Sequence, residues 1–296
     1  MLVAGSIALD TLDGPFGHVQ GELGGSALYF SLAASLIGPV RMVAPVGTDG
    51  IELVKRAVGD RPIDLGGLTQ VSAPTYRWQA TQFEGRNLDL GSQDSIYDVW
   101  EPAIADGFEG WAFVGSMRPD RQVEAARSLI TARLLAADAM RSYVQSQPAE
   151  AKQLLDLCDW YFCNHEEFEA LGGDLQDPDR FRSDLALRGL FIKEGPDGVW
   201  AWTPAGPLHV PALLTRRVLD TTGAGDSLAG GTLARWLQLG GRPECLEEAL
   251  IHGVACASLA IEEVGVRGIA AATPAALRER VDEVRKGLLQ SRQKGG

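Results

Sequence analysis

Residues 220–231 read DTTGAGDSLAGG, which places Gly-Ala-Gly between two aspartates directly ahead of a helix-like run. Glycine adopts unusual backbone angles, and its lack of a side chain leaves neighbouring N–H groups open to a ligand. The positive end of the following helix adds to these donors, so Gly223, Ala224 and Gly225 are predicted to form an anion-binding turn. Asp226 would stand at the edge of that turn, where the helix favours its ionised form, as a base that takes a proton from an alcohol requires.

A second interpretation of the same residues is a tight turn followed by a helix whose N-terminus Asp226 caps. Gly230 and Gly231 lie inside this predicted helix, where each costs about 1 kcal/mol relative to alanine. That cost indicates a close approach, either by a ligand or by a neighbouring helix. The local sequence leaves both interpretations of Asp226 open, and the rest of the chain is needed to decide between them.

The composition is that of a globular protein with a large core: 296 residues, 45% of them hydrophobic and 22% charged. The formal charge of −12 comes without any basic cluster, which disfavours nucleic acid or an anionic membrane as a partner. The cysteines and histidines lack the spacing of a tight metal site, and no apolar run reaches the roughly 18 residues of a membrane span. The first residues lack the features of a signal peptide, so we expect a cytoplasmic protein with small-molecule partners.

Strand-like runs alternate with helical patterns along most of the chain. Several of these runs end in a polar residue or a glycine, among them WAFVG, LLAAD, WYFCN and LFIKEG. The alternation predicts βαβ units and a mostly parallel central sheet with helices on its faces. Ligands bind such sheets beyond the carboxyl ends of the strands, where these polar endings fall. Asp138 closes one such run, but the sequence gives it no defined role.

Two stretches, at about 11–23 and 72–100, interrupt this alternation. They are rich in turn residues, aromatic residues and period-2 patterns, and they carry no helical face. We expect them to form antiparallel strands that stand away from the main sheet as a small β lid over the active site. Because no linker or repeat divides the chain, residues 1–296 are predicted to form one domain with this lid.

The string DTTGAGD resembles the carboxyl-terminal signature of the ribokinase-like (PfkB) carbohydrate kinase family. GGSALYFSLAASLIG resembles the amino-terminal signature of that family, with Gly24 and Gly25 at its head. NHEE and KEGPDG resemble, in the family's order, its Asn-x-x-Glu motif and its glycine-containing segment near the nucleotide. The resemblance covers nearly the whole chain, and it implies a three-layer α/β/α fold with a mostly parallel central sheet and a small β lid.

Carried onto matching positions, the resemblance implies that Asp226 is the general base and that Gly223, Ala224 and Gly225 form the anion hole. It implies substrate contacts at Asp10, which closes GSIALD, and at the glycine pair. It also implies a nucleotide side that includes magnesium held by Glu167 through water and, in some members, a monovalent cation such as potassium at Asp220. The implied nucleotide-side residues are Asn164, Glu167, Lys193, Gly195, Gly198 and Thr222.

Two further residues are candidates for the acceptor side. Many sugar kinases of the family have asparagine five residues after the first glycine of the pair, where this chain has Tyr29. Tyr29 would either pack against a substrate ring or belong to the core. Arg77, in the predicted lid, would either contact the substrate or pair with a surface carboxylate. The tyrosine at position 29 is a departure from the pattern of a standard ribose or fructose pocket.

The resemblance implies transfer of the γ-phosphate of ATP to a hydroxyl of a sugar, a polyol or cyclitol, or a nucleoside. The alternative is a nonenzymatic ligand- or nucleotide-binding regulatory paralogue of the same fold. Asp226 and the Gly-Ala-Gly turn favour the enzyme. The chain contains neither GxxxxGK[ST] nor, after its first strand, GxGxxG, which disfavours P-loop and dinucleotide enzymes. An apolar lid face would allow a homodimer through the lid, as in parts of the family.

Overall fold

The fold is organised around a large central sheet. The computed structural model describes residues 1–83, 86–215 and 217–295, so residues 84 and 85 of the predicted lid lie outside the described residues. Within that part of the chain the large sheet has nine strands. In spatial order they are β13 (Gly206–Val210), β12 (Val199–Thr203), β11 (Gly189–Lys193), β10 (Trp160–Asn164), β9 (Leu134–Asp138), β8 (Trp111–Val114), β1 (Leu2–Ala4), β4 (Val40–Gly47) and β5 (Ile63–Val71).

The strands from β5 to β11 pair in parallel, whereas β12 and β13 join the edge as antiparallel strands. The predicted mostly parallel sheet is therefore confirmed. Adjacent residues point to opposite faces, so Val3 and Phe113 pack into the core on one face while Ala4 and Val114 pack into the core on the other.

Helices cover both faces and complete three layers. One layer contributes to the core around Val3, and the other to the core around Ala4. Among the described residues, none of the helices combines the length and apolar character needed to cross a bilayer. The first layer contains α1 (Ser26–Ala34), α2 (Ile51–Val58), α8 (Ala224–Gln238), α9 (Leu246–Ala260), α10 (Arg267–Ala271) and α11 (Pro274–Gly295), and the second contains α3 (Pro119–Ser128), α4 (Arg141–Ser146), α5 (Pro148–Leu157), α6 (His165–Ala170) and α7 (Pro178–Asp184).

A second, small sheet is built from the two stretches that interrupt the βαβ pattern. Its order is β3 (Gly17–Gly24), β2 (Ala8–Gly14), β6 (Arg77–Phe83) and β7 (Arg86–Gln93). The outer pairs are antiparallel, as predicted, but the central pair β2–β6 is parallel. The difference arises because β2 and β6 belong to separate stretches, so no hairpin turn fixes their direction.

The two faces of the small sheet differ in environment. On the inner face, Leu12 and Ala80 are buried and pack against Val264 of the main body. On the outer face, Leu88 lies opposite Thr81 in the register of β6 and β7 and is exposed. Exposed apolar side chains such as Phe83 follow at the same end of the sheet.

Helix packing explains the two glycines inside α8. A Cβ at Gly230 would lie 2.5 Å from the Phe30 carbonyl oxygen of α1, and one at Gly231 would lie 2.7 Å from Cys256 Sγ of α9. Interiors packed this closely do not accommodate an added methyl group without displacement. The close approach expected at these glycines is therefore one between helices, and it fixes α8 between α1 and α9.

Arg61, after α2, ties together chain segments that are far apart in sequence. Its guanidinium donates to the carbonyl of Leu32 at 2.7 Å and to the carbonyls of Ile269, Ala270 and Ala272 at 2.9, 2.9 and 2.6 Å. Arg61→Met keeps an aliphatic side chain but removes every donor, and we expect it to lower the free energy of unfolding by about 2 kcal/mol. Urea denaturation measures this change.

The matched control is Arg278→Met on the exposed side of α11, for which we expect a change within about 0.5 kcal/mol. Equal unfolding midpoints for the two variants would show that Arg61 does not stabilise the fold in this way.

Candidate active site

Three polar side chains end three adjacent strands of the large sheet. Asp138 is the last residue of β9, Asn164 of β10 and Lys193 of β11. Asn164 lies directly opposite Lys193 in the register of the parallel pair. Since carboxyl ends of parallel strands form the ligand-binding edge of an α/β sheet, these residues mark the edge at which a site is expected.

Asn164 and Glu167 hold each other at the start of α6. The Asn164 side-chain oxygen accepts from the Glu167 N–H at 2.9 Å, and Glu167 Oε2 accepts from the Asn164 N–H at 2.8 Å. This capping box satisfies donors at the N-terminus of the helix. It also fixes the Glu167 carboxylate beside the end of β10, so the Asn-x-x-Glu spacing has a local structural cause.

The predicted Gly223–Gly225 turn consists of Gly223, the N-cap residue of α8, and the first two residues of that helix, Ala224 and Gly225. Gly223 has φ +70°, and a Cβ there would overlap the Tyr29 ring, so glycine is required for both reasons. The helix has no side-chain cap, and Asp226 lies in its first turn. Asp226 is therefore not the capping residue that the second interpretation of its sequence proposed.

Lys193 brings the strand ends and the turn together. Its ammonium lies 3.9 Å from Asp138 Oδ2 and 3.9 Å from Glu167 Oε2. A Cβ at Gly225 would lie 2.8 Å from Lys193 Nζ, so this ammonium lies directly against the backbone of the turn. Asp226 Oδ1 is buried and has no hydrogen-bond partner among the described residues.

Burial and the surrounding charges shift the pKa values in this cluster. Burial raises the pKa of Asp226 to about 6, with the Lys193 ammonium opposing the shift and Glu167 adding to it. Burial, and then the charge of Asp226, also raise the pKa of Asp138. Burial alone would lower the pKa of Lys193, but Glu167, Asp138 and Asp226 raise it above its ordinary value. Lys193 therefore stays charged while Asp226 can change its protonation state close to neutrality.

Asp10, Gly24 and Tyr29 form a second group of predicted site residues. Asp10 is 3% exposed and Tyr29 is 1% exposed. A Cβ at Gly24 would overlap Asp10 Oδ2 and would lie 3.7 Å from the Tyr29 ring, so Gly24 lies between the two side chains. Asp10 Oδ1 and the Tyr29 hydroxyl are both buried without a hydrogen-bond partner in the described part of the chain. Buried polar groups are normally paired, so these two atoms are candidates for contact with a ligand.

The electrostatic surroundings of this pair are acidic. Burial raises the pKa of Asp10, and the charges of Asp220 and Glu22 raise it further. Burial also raises the pKa of Tyr29, again with nearby carboxylates adding to the shift. The Tyr29 hydroxyl therefore keeps its proton and is a hydrogen-bond donor in the same acidic surroundings as the Asp10 carboxyl.

The other predicted glycine, Gly25, shapes the start of α1. It has φ +103°, and a Cβ would lie 2.5 Å from the Ser6 carbonyl oxygen. Ser6 and Ser26 bind each other reciprocally, each accepting on its hydroxyl the other's backbone N–H, at 3.0 and 3.1 Å. Ser26 Oγ also donates to the Ser116 carbonyl at 2.8 Å. No motif in the sequence pointed to these serines, because their partners are 20 and 90 residues apart.

Asp220 and Thr222 lie in the loop that leads into the turn. Asp220 Oδ1 accepts from the Thr222 N–H and Oδ2 accepts from the Gly265 N–H, both at 2.9 Å. Asp220 is 1% exposed. Its carboxylate therefore connects the loop to the turn around Gly265.

The remaining predicted residues are Arg77, at the start of β6, and two glycines at a turn. Arg77 Nη2 donates to Asp49 Oδ2 at 2.7 Å, so its guanidinium is paired with a carboxylate at the end of β4. Gly195 and Gly198 form the turn between β11 and β12, where the Glu194 N–H donates to the Gly198 carbonyl at 2.8 Å. Substrate contact by Arg77 and nucleotide contact by these glycines stay predictions.

Comparison with known proteins places the chain among small-molecule kinases. The sequence model of the pfkB family carbohydrate kinases matches residues 108–272. The chain is 31% identical over 274 residues to an ATP-dependent ribose-1-phosphate kinase of Halopiger xanaduensis, with 88% of each chain covered. It is 24% identical over 267 residues to a cytidine kinase of Thermococcus kodakarensis, covering 86% of this chain and 93% of that one.

A solved structure gives the same fold. The chain superposes with a TM-score of 0.76 and 20% identity on the aminoimidazole riboside kinase of Salmonella enterica, in complex with aminoimidazole riboside and an ATP analogue. The match covers 95% of this chain and 100% of that one. The three-layer α/β/α architecture with a mostly parallel central sheet is thus shared with a known kinase.

Proposed function

The chain belongs to the pfkB family of carbohydrate kinases, and we propose that it transfers the γ-phosphate of ATP to a hydroxyl of a small polyhydroxylated acceptor. The observation that carries this proposal is the position of Asp226. Its buried carboxyl lies in the first turn of α8, beside Lys193 and directly after the Gly223–Gly225 turn. A base, a cation and a set of backbone donors thus meet at one edge of the large sheet.

In the proposed mechanism Asp226 takes the proton of the attacking hydroxyl as the hydroxyl oxygen bonds to the γ-phosphorus. The bond between the γ-phosphorus and the β,γ-bridging oxygen breaks in the same step, and ADP leaves. The N–H groups of the Gly223–Gly225 turn and the Lys193 ammonium stabilise the charge on the transferring phosphoryl oxygens. Phosphoryl transfer depends on positioning and electrostatics more than on covalent chemistry, so this small set is sufficient. A pKa of about 6 leaves Asp226 largely ionised at pH 7 and still basic enough to accept the proton.

The same edge fits a magnesium ion. Asp138 and Asp226 each have a buried carboxylate oxygen without a partner among the described residues, and Mg²⁺ takes one or two carboxylates along with phosphate oxygens and water. We propose that Glu167 reaches the ion through water. Bound with ATP, Mg²⁺ would offset phosphate charge.

We also propose a monovalent cation such as K⁺ at Asp220, which assays in potassium and sodium salts would test.

We propose that Asp10 and Tyr29 bind the acceptor, with Gly24 and Gly25 allowing its close approach. The unpaired Asp10 oxygen would accept from one hydroxyl, and the Tyr29 hydroxyl would donate to another. The names of the two curated relatives include ribose-1-phosphate and cytidine, so ribosyl compounds are the first acceptors to test. Sugars, polyols and cyclitols complete the set.

A further proposal concerns the small sheet. We propose that it is a lid of one kinase domain spanning residues 1–296, and that it closes over the acceptor to exclude water.

We also propose a location and an assembly for the protein. The enzyme would act in the cytoplasm. It would form a homodimer through the lid, where the outer face exposes the apolar side chains Phe83, Leu88 and Leu90.

The direct test is ADP release from ATP and Mg²⁺ with a panel of ribosides, ribose phosphates, free sugars and cyclitols. Acceptor-dependent ADP release and a phosphorylated product would support the kinase. Thermal stabilisation by an acceptor and a nonhydrolysable ATP analogue, without ADP release, would instead favour a nonenzymatic ligand-binding paralogue.

Tyr29→Phe tests the proposed acceptor contact. This variant keeps the ring against Gly223 and removes only the hydroxyl, so we expect KM for the acceptor to rise about 5-fold with little change in KM for ATP. Steady-state kinetics with each substrate varied in turn measures both values. Tyr29 belongs to the core around Val3, where its ring contacts Gly24 and Gly223. Tyr161→Phe is the matched control, since Tyr161 also has a buried hydroxyl without a partner in the described residues but lies on the other face of the large sheet, in the core around Ala4. The contact is excluded if both variants behave like the parent.

A further inference from the structure

The inner face of the small sheet contacts the loop that leads into the phosphate-binding turn. Gln82 lies near the end of β6, on the same face as Ala80. In the amide orientation that matches donors with acceptors, Gln82 Nε2 donates to the Leu219 carbonyl at 2.7 Å. Its Oε1 accepts from both the N–H and the hydroxyl of Thr221, each at 2.9 Å. One side chain of the small sheet therefore binds the backbone of the loop on both sides of Asp220.

A second side chain of the same face contacts the next residue of the loop. Asn87 lies opposite Gln82 in the register of β6 and β7. Its Nδ2 donates to Thr222 Oγ1 at 3.1 Å. Asn87 and Gln82 thus act on consecutive residues of the loop, from neighbouring strands of one hairpin.

The loop residues that make these contacts directly precede the turn in the sequence. Thr222 directly precedes Gly223, the N-cap of α8, and the Ala224 N–H donates to the Thr221 carbonyl at 3.3 Å. On the body side, the Leu219 N–H donates to the Ile261 carbonyl at 2.8 Å. The loop is thus held between the body and the small sheet, and removal of the Gln82 side chain would take away the hydrogen bonds that it makes to the Leu219 carbonyl and to the Thr221 N–H.

We infer that Gln82 and Asn87 are positioning residues that couple closure of the small sheet to the geometry of the Gly223–Gly225 turn. With the sheet against the body, they hold residues 219–222 in the conformation that directs Gly223–Gly225 and Asp226 at the phosphate. With the sheet away from the body, the loop loses these contacts. Because the acceptor would bind beneath the sheet, the turn would reach its active conformation only when the acceptor is enclosed. Water in an open site would therefore be a poor acceptor of the phosphoryl group.

This inference rests on the proposed function for its catalytic consequence, but its physical part is testable without any substrate. Hydrogen exchange of the Thr221 amide, in the nucleotide-free protein, reports on the contact with Gln82 directly. Gln82→Met has a similar side-chain length but no polar atoms. We expect it to accelerate exchange at Thr221 at least about 10-fold. Asn87→Ala is expected to loosen the same segment less, because it removes one bond.

The matched control is Gln79→Met, on the same strand and exposed on the outer face. We expect its exchange rate and activity to equal those of the parent. With the acceptor that the panel identifies, Gln82→Met is expected to lower kcat at least about 10-fold while KM for ATP changes less than about 3-fold. A merely structural role would lower stability and leave kcat of the folded enzyme unchanged.

Exchange at Thr221 that is equal in Gln82→Met and the parent would overturn the contact. Faster exchange with a parental kcat would overturn the coupling. If the parent phosphorylates no acceptor, the proposed function fails, and the exchange experiment still decides whether the small sheet holds the loop.

Discussion

Asp226→Asn is expected to lower kcat for phosphoryl transfer by about 10³-fold, the range over which a general base contributes. Asparagine has nearly the same shape as aspartate, so α8 and the turn before it keep their positions. The variant loses only the ability to accept the proton of the attacking hydroxyl. Steady-state ADP release measures kcat, and titration with a nonhydrolysable ATP analogue checks that nucleotide binding is within a few-fold of the parent.

The stability of this variant provides an independent check. The native pKa of Asp226 lies above its ordinary value, so its ionisation disfavours the folded state as the pH rises through about 6. The neutral asparagine removes this effect. At pH 7 we therefore expect the unfolding temperature of the variant to equal or exceed that of the parent. Asp184→Asn, at the exposed end of α7, controls for the change of side chain. Near-parental turnover by Asp226→Asn would remove Asp226 from the role of base.

Lys193→Met is expected to lower kcat at pH 7 by at least about 100-fold, because the Lys193 charge has two roles in the proposed site. The ammonium lies against Gly225, where the transferring phosphoryl group would bind, and it lowers the pKa of Asp226 against the effect of burial. Without it, Asp226, Asp138 and Glu167 face one another without their shared cation. Their mutual repulsion raises the pKa of Asp226 above about 6.

The pH profile separates these two effects. In the parent, kcat should rise with pH through about 6 as Asp226 loses its proton. In Lys193→Met the acid limb should move to higher pH, so that part of the lost rate returns in alkaline buffer. Lys152→Met, on an exposed position of α5, is the control and should keep the parental profile. A reduced rate with an unmoved acid limb would show that Lys193 acts on the phosphate alone.

The sequence predicted the features that depend on neighbours along the chain. The alternation of strands and helices was sufficient to predict the mostly parallel sheet, because each strand or helix has its own period of hydrophobic residues. Asn164 and Lys193, which end two strand-like runs, pointed to the edge of the sheet at which the proposed site lies, since carboxyl ends of parallel strands meet there. The need for glycine at position 223 could likewise be predicted, because backbone freedom is a local property of glycine, but α8 begins one residue later and includes Ala224 and Gly225.

Contacts between distant segments were not predictable in this way. No local pattern marks Ser6 and Ser26, which contact each other only in the folded chain. The same is true of Gln82 and the loop at residues 219–222. Arg77 was a candidate substrate residue by charge and position, but only the structure could reveal that Asp49 is its partner. Amide and hydroxyl side chains carry little pattern of their own, so their partners are set by tertiary structure.

The contact between Gly223 and the Tyr29 ring constrains how this enzyme can diversify. The residue proposed to recognise the acceptor packs directly against the residue that begins the phosphate-binding helix. A change of ring size at Tyr29 would therefore leave a gap beside the turn or press upon it. Acceptor choice and catalytic rate are thus not separately adjustable at this position. Evolution, or an engineer, would find more freedom among side chains of the small sheet that do not contact the turn.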